Sequence, residues 1–274
     1  MSDPLASAIV RLREAGIAGP RLDARLLWEF AHKSDLPPEG GSEALFESLI
    51  VRRAAREPLA YLVGAKEFWS LDFAVGPGVL IPRPDSETLI GELLRRHPGR
   101  AEPLAILDLG TGSGCLLVAA LTEYPNARGV GIDSSAEALA YARANIAAHG
   151  LQDRATLIES GWLDGAEPGF DVVLSNPPYI PTAEIDGLEP DVARYEPRAA
   201  LDGGPDGLDA YRALAVRIGS LLKPAGHAFL ELGQGQAGAV TGLMAAQGLQ
   251  TPEIGVDLAG IPRCAVVKRQ NRPM

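Results

Sequence analysis

Two short stretches combine residue types that can do chemistry. The first is Ile106-Leu107-Asp108-Leu109-Gly110-Thr111-Gly112-Ser113-Gly114, an apolar run that breaks into alternating glycines. Glycine bends where a Cβ would clash and lets backbone approach a ligand closely. The next apolar run closes as Gly129-Val130-Gly131-Ile132-Asp133. An acid about 20 residues after the glycines, closing a second strand, accepts hydrogen bonds from both hydroxyls of a ribose. By themselves these features fit a nucleoside-type cofactor, a dinucleotide, or a plain strand-to-helix connection.

Two details favour a cationic nucleoside. The spacing is Gly-x-Gly-x-Gly, where a dinucleotide loop has Gly-x-Gly-x-x-Gly. Asp108 stands two residues before the first glycine. A carboxylate there repels a pyrophosphate but attracts a cation. S-adenosylmethionine carries a sulfonium and an ammonium, so it fits this arrangement.

The second stretch is Asp171-Val172-Val173-Leu174-Ser175-Asn176-Pro177-Pro178-Tyr179. It puts Asn-Pro-Pro-Tyr at the end of an apolar strand, where open α/β sheets bind ligands. An amide or aniline-like nitrogen delocalises its lone pair and is a weak nucleophile. Two acceptors on its N–H groups would orient it and raise its electron density. The Asn176 side-chain oxygen supplies one acceptor and the Pro177 carbonyl the other. The prolines remove competing N–H donors and stiffen the turn. Tyr179 forms a wall for a flat group. Asn176 and Pro177 are thus the expected catalytic groups, with Pro178 and Tyr179 completing the substrate site. No general base is required, because the nitrogen's proton becomes acidic once methylated. The remaining contribution is in-line positioning at about 3–3.5 Å.

The elements that position these stretches follow from periodicity. Expected strands are 104–109, 128–133, 155–158, 170–175, 228–232 and 265–268, with helices at 115–123, 136–149, 208–222 and 236–247. Such alternation predicts an α/β domain with a mostly parallel sheet and helices on both faces. Residues 1–60 read as a small helical domain: Leu5, Ile9, Leu12 and Ile17 recur at near-helical spacing, as do Leu22, Leu26, Leu27 and Phe30, then Leu45, Leu49 and Ile50. Asp23 and Ser42 are expected helix starts, and residues 16–20 and 37–41 expected breaks. Residues 61–84 read as a hairpin linker, and 85–274 as the main domain. The segment 180–205 lacks periodicity and is either functional or mobile.

Composition bounds the alternatives. The chain has 274 residues, 46% hydrophobic and 22% charged, enough for a large domain and a small one. Cys115 and Cys264 lie far apart, and His32, His97, His149 and His227 form no cluster, so no metal is expected. No apolar run reaches the ~20 residues of a membrane helix, and Met1-Ser2-Asp3-Pro4 opens no signal segment. A cytoplasmic protein without membrane association is expected. The net charge of −10 argues against direct binding to nucleic acid.

Together the motifs resemble the class I methyltransferases (Rossmann-like) of the glutamine N5 type. Asn-Pro-Pro-Tyr alone is shared with adenine N6 and cytosine N4 methyltransferases. Tyr61-Leu62-Val63-Gly64, Glu67-Phe68-Trp69 and Leu80-Ile81-Pro82-Arg83-Pro84-Asp85-Ser86-Glu87 resemble the linker of the release factor glutamine methyltransferase family. Tyr195-Glu196-Pro197 followed by Ala200-Leu201 resembles that family's substrate-side loop. The resemblance implies methylation of the glutamine in the Gly-Gly-Gln motif of class 1 peptide chain release factors, with a helical domain that grips this partner. A ribosomal-protein glutamine is the nearest alternative, and an adenine N6 activity a more distant one. The resemblance also carries the donor site onto Gly110, Thr111, Gly112, Ser113, Gly114, Asp133, Trp162 and Asn176. Trp162 would lie on the adenine face, although a tryptophan there equally serves as core at the sheet edge. Gly161 stands where members commonly carry an acid. Pro82-Arg83-Pro84 is expected to open a helix, with Asp85 or Ser86 as cap, and to border the donor pocket.

Overall fold

A computed structural model describes residues 3–33, 41–161 and 163–270. The chain opens with helices α1 (Pro4–Glu14), α2 (Pro20–Lys33), α3 (Gly41–Ala54) and the short α4 (Leu59–Val63). Asp3 caps α1 by accepting the Leu5 N–H at 3.0 Å. Leu12, Leu27, Leu49 and Ile50 form the buried seam of this bundle, with Trp28 edge-on to Phe46. Two expected starts move. Helix α2 begins at Pro20, whose preset φ suits a first turn. Asp23 therefore caps nothing; its carboxylate accepts from Arg53 Nε at 2.7 Å inside the bundle. Ser42 likewise falls inside α3. Of the expected break at 37–41, all but Gly41 lies outside the described residues.

Strands β1 (Ala65–Phe68) and β2 (Leu71–Ala74) form the expected antiparallel hairpin. Its two-residue turn puts Trp69 and Ser70 at φ 54° and 58°. Both belong to the type I′ geometry that suits strand twist but strains non-glycine residues. Hydrogen bonds hold the turn there: Ser70 N–H to Glu67 at 2.6 Å, and Trp69 Nε1 to Glu123 at 2.8 Å.

The main domain continues α5 (Glu87–Arg96), β3 (Ala105–Leu109), α6 (Cys115–Glu123), β4 (Arg128–Asp133), α7 (Ala136–Ala148), β5 (Ala155–Glu159), β6 (Phe170–Ser175), α8 (Pro190–Ala193), α9 (Asp209–Leu221), β7 (Leu222–Glu231), α10 (Ala237–Ala246), β8 (Glu253–Val256) and β9 (Pro262–Lys268). The sheet order is β5-β4-β3-β6-β7-β9-β8, parallel except for the β9 pairings. Alternate residues feed opposite cores. Ile106, Val172, Leu174 and Phe229 meet α5 and α6, whereas Leu107, Val173, Ala228 and Leu230 meet α9 and α10. Helices thus cover both faces.

Several boundaries differ from expectation. Strand β7 starts at Leu222, not Ala228, because Leu222 pairs with Phe170 across a register shift. Strand β9 starts at Pro262 to pair with the short β8, which has too few apolar residues to show in the sequence. Helix α5 follows the Pro82-Arg83-Pro84 turn, as expected, after a 3₁₀ turn at Pro84–Ser86. The segment 180–205 folds into short helical turns, Thr182–Gly187, α8 and Arg198–Ala200. No helix among the described residues is long and apolar enough to cross a membrane.

Candidate active site

The chain winds β3, β4, β5 in one direction and resumes at β6 on the other side of β3. That reversal leaves a crevice above the carboxyl ends of β3 and β6, where open α/β sheets bind ligands. A cavity of about 390 Å³ fills it. Gly110, Thr111, Gly112, Ser113 and Asp133 line one side, and Asn176 and Pro178 another. The Pro82-Arg83 turn, with Ile81 and Ser86, forms a third wall.

The glycine turn is built by positive φ at Gly110, Gly112 and Gly114. These angles favour glycine. A Cβ at Gly114 would also press on Ala142 at 3.3 Å. Asp133 ties the turn to β4, accepting from Gly112 N–H at 2.8 Å and Ser135 N–H at 2.9 Å. Each carboxylate oxygen keeps a second lone pair for a ligand hydroxyl. Gly114 and Asp108 lie behind this wall. Asp108 is fully buried; its Oδ2 accepts from Thr111 Oγ1 at 2.6 Å and its Oδ1 makes no well-aligned hydrogen bond. An unmatched buried acceptor beneath the cavity suits a cationic ligand, so these residues fit S-adenosylmethionine. Trp162 lies outside the described residues.

A second cavity of about 200 Å³ adjoins the first. Tyr179, Ile180, Leu188, Val192 and Leu201 line it alone. Leu80, Arg83, Asn176 and Ala200 line both cavities. Asn176 Nδ2 donates to Ser86 Oγ at 3.3 Å, which leaves Oδ1 free. Pro177 is buried and is absent from both linings. Tyr179 is braced from behind: its carbonyl accepts from Gln236 Nε2 at 2.9 Å. Gly207, at φ +73°, comes so close that a Cβ would sit 2.4 Å from that carbonyl oxygen. The segment 180–205 thus contributes walls.

Several residues shape the site through contacts that the sequence reading did not anticipate. Glu196 is buried, pairs with the Arg83 guanidinium and accepts the Ile81 N–H at 3.2 Å. Burial pushes its carboxyl up, and Arg83 opposes the rise. This pair staples the Tyr195-Glu196-Pro197 loop over the donor cavity. Asn145 bonds Ser113 O at 2.8 Å and both backbone groups of Ala74, joining hairpin to glycine turn. Ser86 holds the N-cap position of α5, as expected, but neither its side chain nor that of Asp85 makes a capping hydrogen bond. Asp85 pairs with Arg263 at 2.7 Å, and Ser86 donates to Glu231. Burial raises the Glu231 carboxyl to about 7, while Ser86 and Tyr179 hold it down. An acid closing an otherwise apolar strand was the available signal, the same one that marked Asp133.

The electrostatics predict a pH effect on donor binding. Burial pushes the Asp108 carboxyl up to about 7; Thr111 opposes this and the Asp133 charge adds to it. Its ordinary value is 3.8, so the unliganded fold binds the proton more tightly than the unfolded chain. The unliganded protein accordingly gains stability from this group as pH falls from about 7 toward 4. A cationic donor favours the ionised form instead. Donor affinity should therefore weaken as pH drops from about 8 to about 6, read by titration calorimetry. The Asp108→Asn variant should show a flatter profile. An unchanged slope in that variant would assign the effect to another group.

A mostly parallel sheet of this order, with a glycine cradle after β3 and Asn-Pro-Pro-Tyr after β6, defines a class I S-adenosylmethionine-dependent methyltransferase. The Methyltransferase small domain family matches residues 85–187, and the PrmC N-terminal domain family matches residues 3–64. The chain is 45% identical over 275 residues to a release factor glutamine methyltransferase of Rhodospirillum rubrum, covering 95% of this chain and 82% of that one. It is 46% identical over 248 residues to one of Caulobacter vibrioides, covering 87% and 86%. A solved methyltransferase from Pyrococcus furiosus shares the fold at a TM-score of 0.52 and 20% identity, over 81% of this chain and 95% of that one. The chain belongs to the release factor glutamine methyltransferase family. Among the described residues no group of three or more His, Cys, Asp or Glu could hold a metal ion.

Proposed function

We propose that this enzyme methylates the side-chain amide nitrogen (N5) of the glutamine in the Gly-Gly-Gln motif of class 1 release factors, in the cytoplasm. One observation carries the reading: Asn176, with its amide acceptor, is among the residues that line both cavities, so it borders donor and acceptor alike. The names of the relatives support the choice of release factor as partner.

When bound, S-adenosylmethionine supplies an electrophilic methyl group on its sulfonium. The protein's part is positional. Asn176 Oδ1 accepts one N–H of the glutamine amide, and the Pro177 carbonyl, which lines neither cavity in the unliganded fold, accepts the other once substrate is bound. Holding both N–H groups aims the nitrogen and increases its electron density. Tyr179, Leu188 and Val192 wall the smaller cavity around the glutamine side chain. The Arg83–Glu196 pair holds the Tyr195-Glu196-Pro197 loop over the donor cavity. The methylated amide, now a strong acid, releases its proton to water, so no side chain needs to act as base. Positioning of this kind contributes several kcal/mol, up to about 7–11 in the best oriented systems.

The test is transfer of labelled methyl from S-adenosylmethionine to release factor, to ribosomal proteins and to DNA in separate reactions. Label in the Gly-Gly-Gln peptide fragment is expected. Label confined to nucleic acid would overturn the reading, and label confined to a ribosomal protein would replace the partner.

A further inference from the structure

We propose that Ser86 and Glu231 are positioning residues that make Asn176 present its oxygen, and not its NH2, to the acceptor. The inference rests on the acceptor role given to Asn176 above.

A carboxamide has two ends of nearly equal shape and opposite polarity. Turned by half a rotation, Asn176 would face the target amide with its own N–H groups. Donor would then meet donor, and the nitrogen would be pushed out of line. Something must break this symmetry.

The geometry points to Ser86. Its oxygen lies 3.3 Å from Asn176 Nδ2. A hydroxyl owns one proton, and Ser86 gives it to Glu231 Oε2. While Glu231 is ionised that proton stays committed, and the Ser86 oxygen offers only lone pairs to Asn176. It attracts the NH2 end and repels the oxygen end. The oxygen is left facing the junction of the two cavities.

Glu231 anchors the relay. It closes β7 beside β6, where Ser175 pairs with Leu230, so Asn176 and Glu231 leave adjacent strands together. Its other oxygen, Oε1, accepts the Tyr179 hydroxyl at 3.2 Å. One buried carboxylate therefore engages Tyr179 directly and Asn176 through Ser86. It is 1% exposed and makes no salt bridge among the described residues. Burying such a carboxylate is unfavourable for folding. A carboxamide would fill the same space at lower cost, so packing alone does not account for the acid.

That contrast supplies the test. Glu231→Gln keeps the shape but brings a donor. Its Nε2 can donate to Ser86, whose proton is then released toward Asn176 Oδ1, and the polarity of the relay reverses. We expect kcat to fall about 10–100-fold, with donor Kd by calorimetry within about threefold and thermal stability equal or higher. Ser86→Ala should lose turnover to a similar extent, and Ser86→Thr should recover most of it by restoring the hydroxyl. A second readout needs neither donor nor substrate. The Asn176 side-chain NH2 resonances should be exchange-protected in the parent and in Ser86→Thr, and lose protection in Ser86→Ala and Glu231→Gln. Should Glu231→Gln fail to fold, the Ser86 pair decides the matter. Parental kcat with unaltered Asn176 resonances in Ser86→Ala would overturn the proposal. Absence of any transfer to a glutamine peptide by the parent enzyme would instead overturn the proposed function, while the resonances would still report the orientation of Asn176.

Discussion

Replacing Asn176 with alanine is expected to lower turnover about 10³-fold, comparable to the loss of one preorganised polar group at a reacting centre. Donor affinity should stay within about threefold. The split follows from the walls of the two cavities. The donor cavity retains Gly110 to Ser113 and Asp133, to which Asn176 adds one edge. The smaller cavity borders Tyr179, Ile180, Leu188, Val192 and Leu201, and among its linings Asn176 offers a free side-chain carbonyl oxygen. Alanine removes that acceptor and leaves the Ser86 oxygen without its donor. The change corresponds to about 4 kcal/mol on the barrier. Single-turnover kinetics with a Gly-Gly-Gln peptide would read kcat, and calorimetry the donor Kd. Parental turnover in this variant would remove Asn176 from the chemistry. Joint loss of donor binding and turnover would make it a donor ligand first.

Removal of the Arg53 side chain should produce the largest loss of stability outside the core. Arg53 is 7% exposed and lies between two acids. Its Nε donates to Asp23 within the bundle and its Nη1 to Asp191 at the start of α8, both at 2.7 Å. Arg56 reinforces the contact on Asp191 and reaches Glu189 at 2.7 Å. It does so from φ 73°, a left-handed conformation that favours glycine. Tyr195 adds a hydrogen bond to Ala55 O at 3.0 Å. These contacts join the helical bundle to the segment that walls the acceptor cavity. Arg53→Ala strands Asp23 in a buried site, and breaking such a pair destabilises by about 3–5 kcal/mol. Chemical denaturation should show this loss. The loosened segment should also raise KM for the acceptor about tenfold, while donor Kd is unchanged. A variant of parental stability and KM would show that bundle and segment are held by packing alone.

The glycine turn, Asp133 and Asn-Pro-Pro-Tyr were legible because their signals are local. Backbone angles at Gly110, Gly112 and Gly114 and the alternation of apolar residues along β3, β6 and β7 are settled within a few residues. The parallel sheet followed from alternating strand and helix patterns, and its carboxyl edge told where both sites had to open. Asp23 and Ser86 show the limit of that reasoning. Each was a good cap by residue type, and each is taken instead by a distant partner, Arg53 in one case and Glu231 in the other.

What residue type and short spacing alone determined was a cationic nucleoside-type cofactor, a conjugated nitrogen as acceptor and the layered fold, while the choice of a glutamine rested on the family resemblance. The tertiary structure decided the rest. Ser86 meets Glu231 across 145 positions, and Arg53 meets Asp191 across 138. Such pairs form only when the sheet order brings β7 beside β6 and the bundle packs on α8. The physical reason is one of range: dihedral preferences and periodicity act over one or two turns of chain, whereas the partner of a buried charge is chosen by whichever chain the completed core sets beside it.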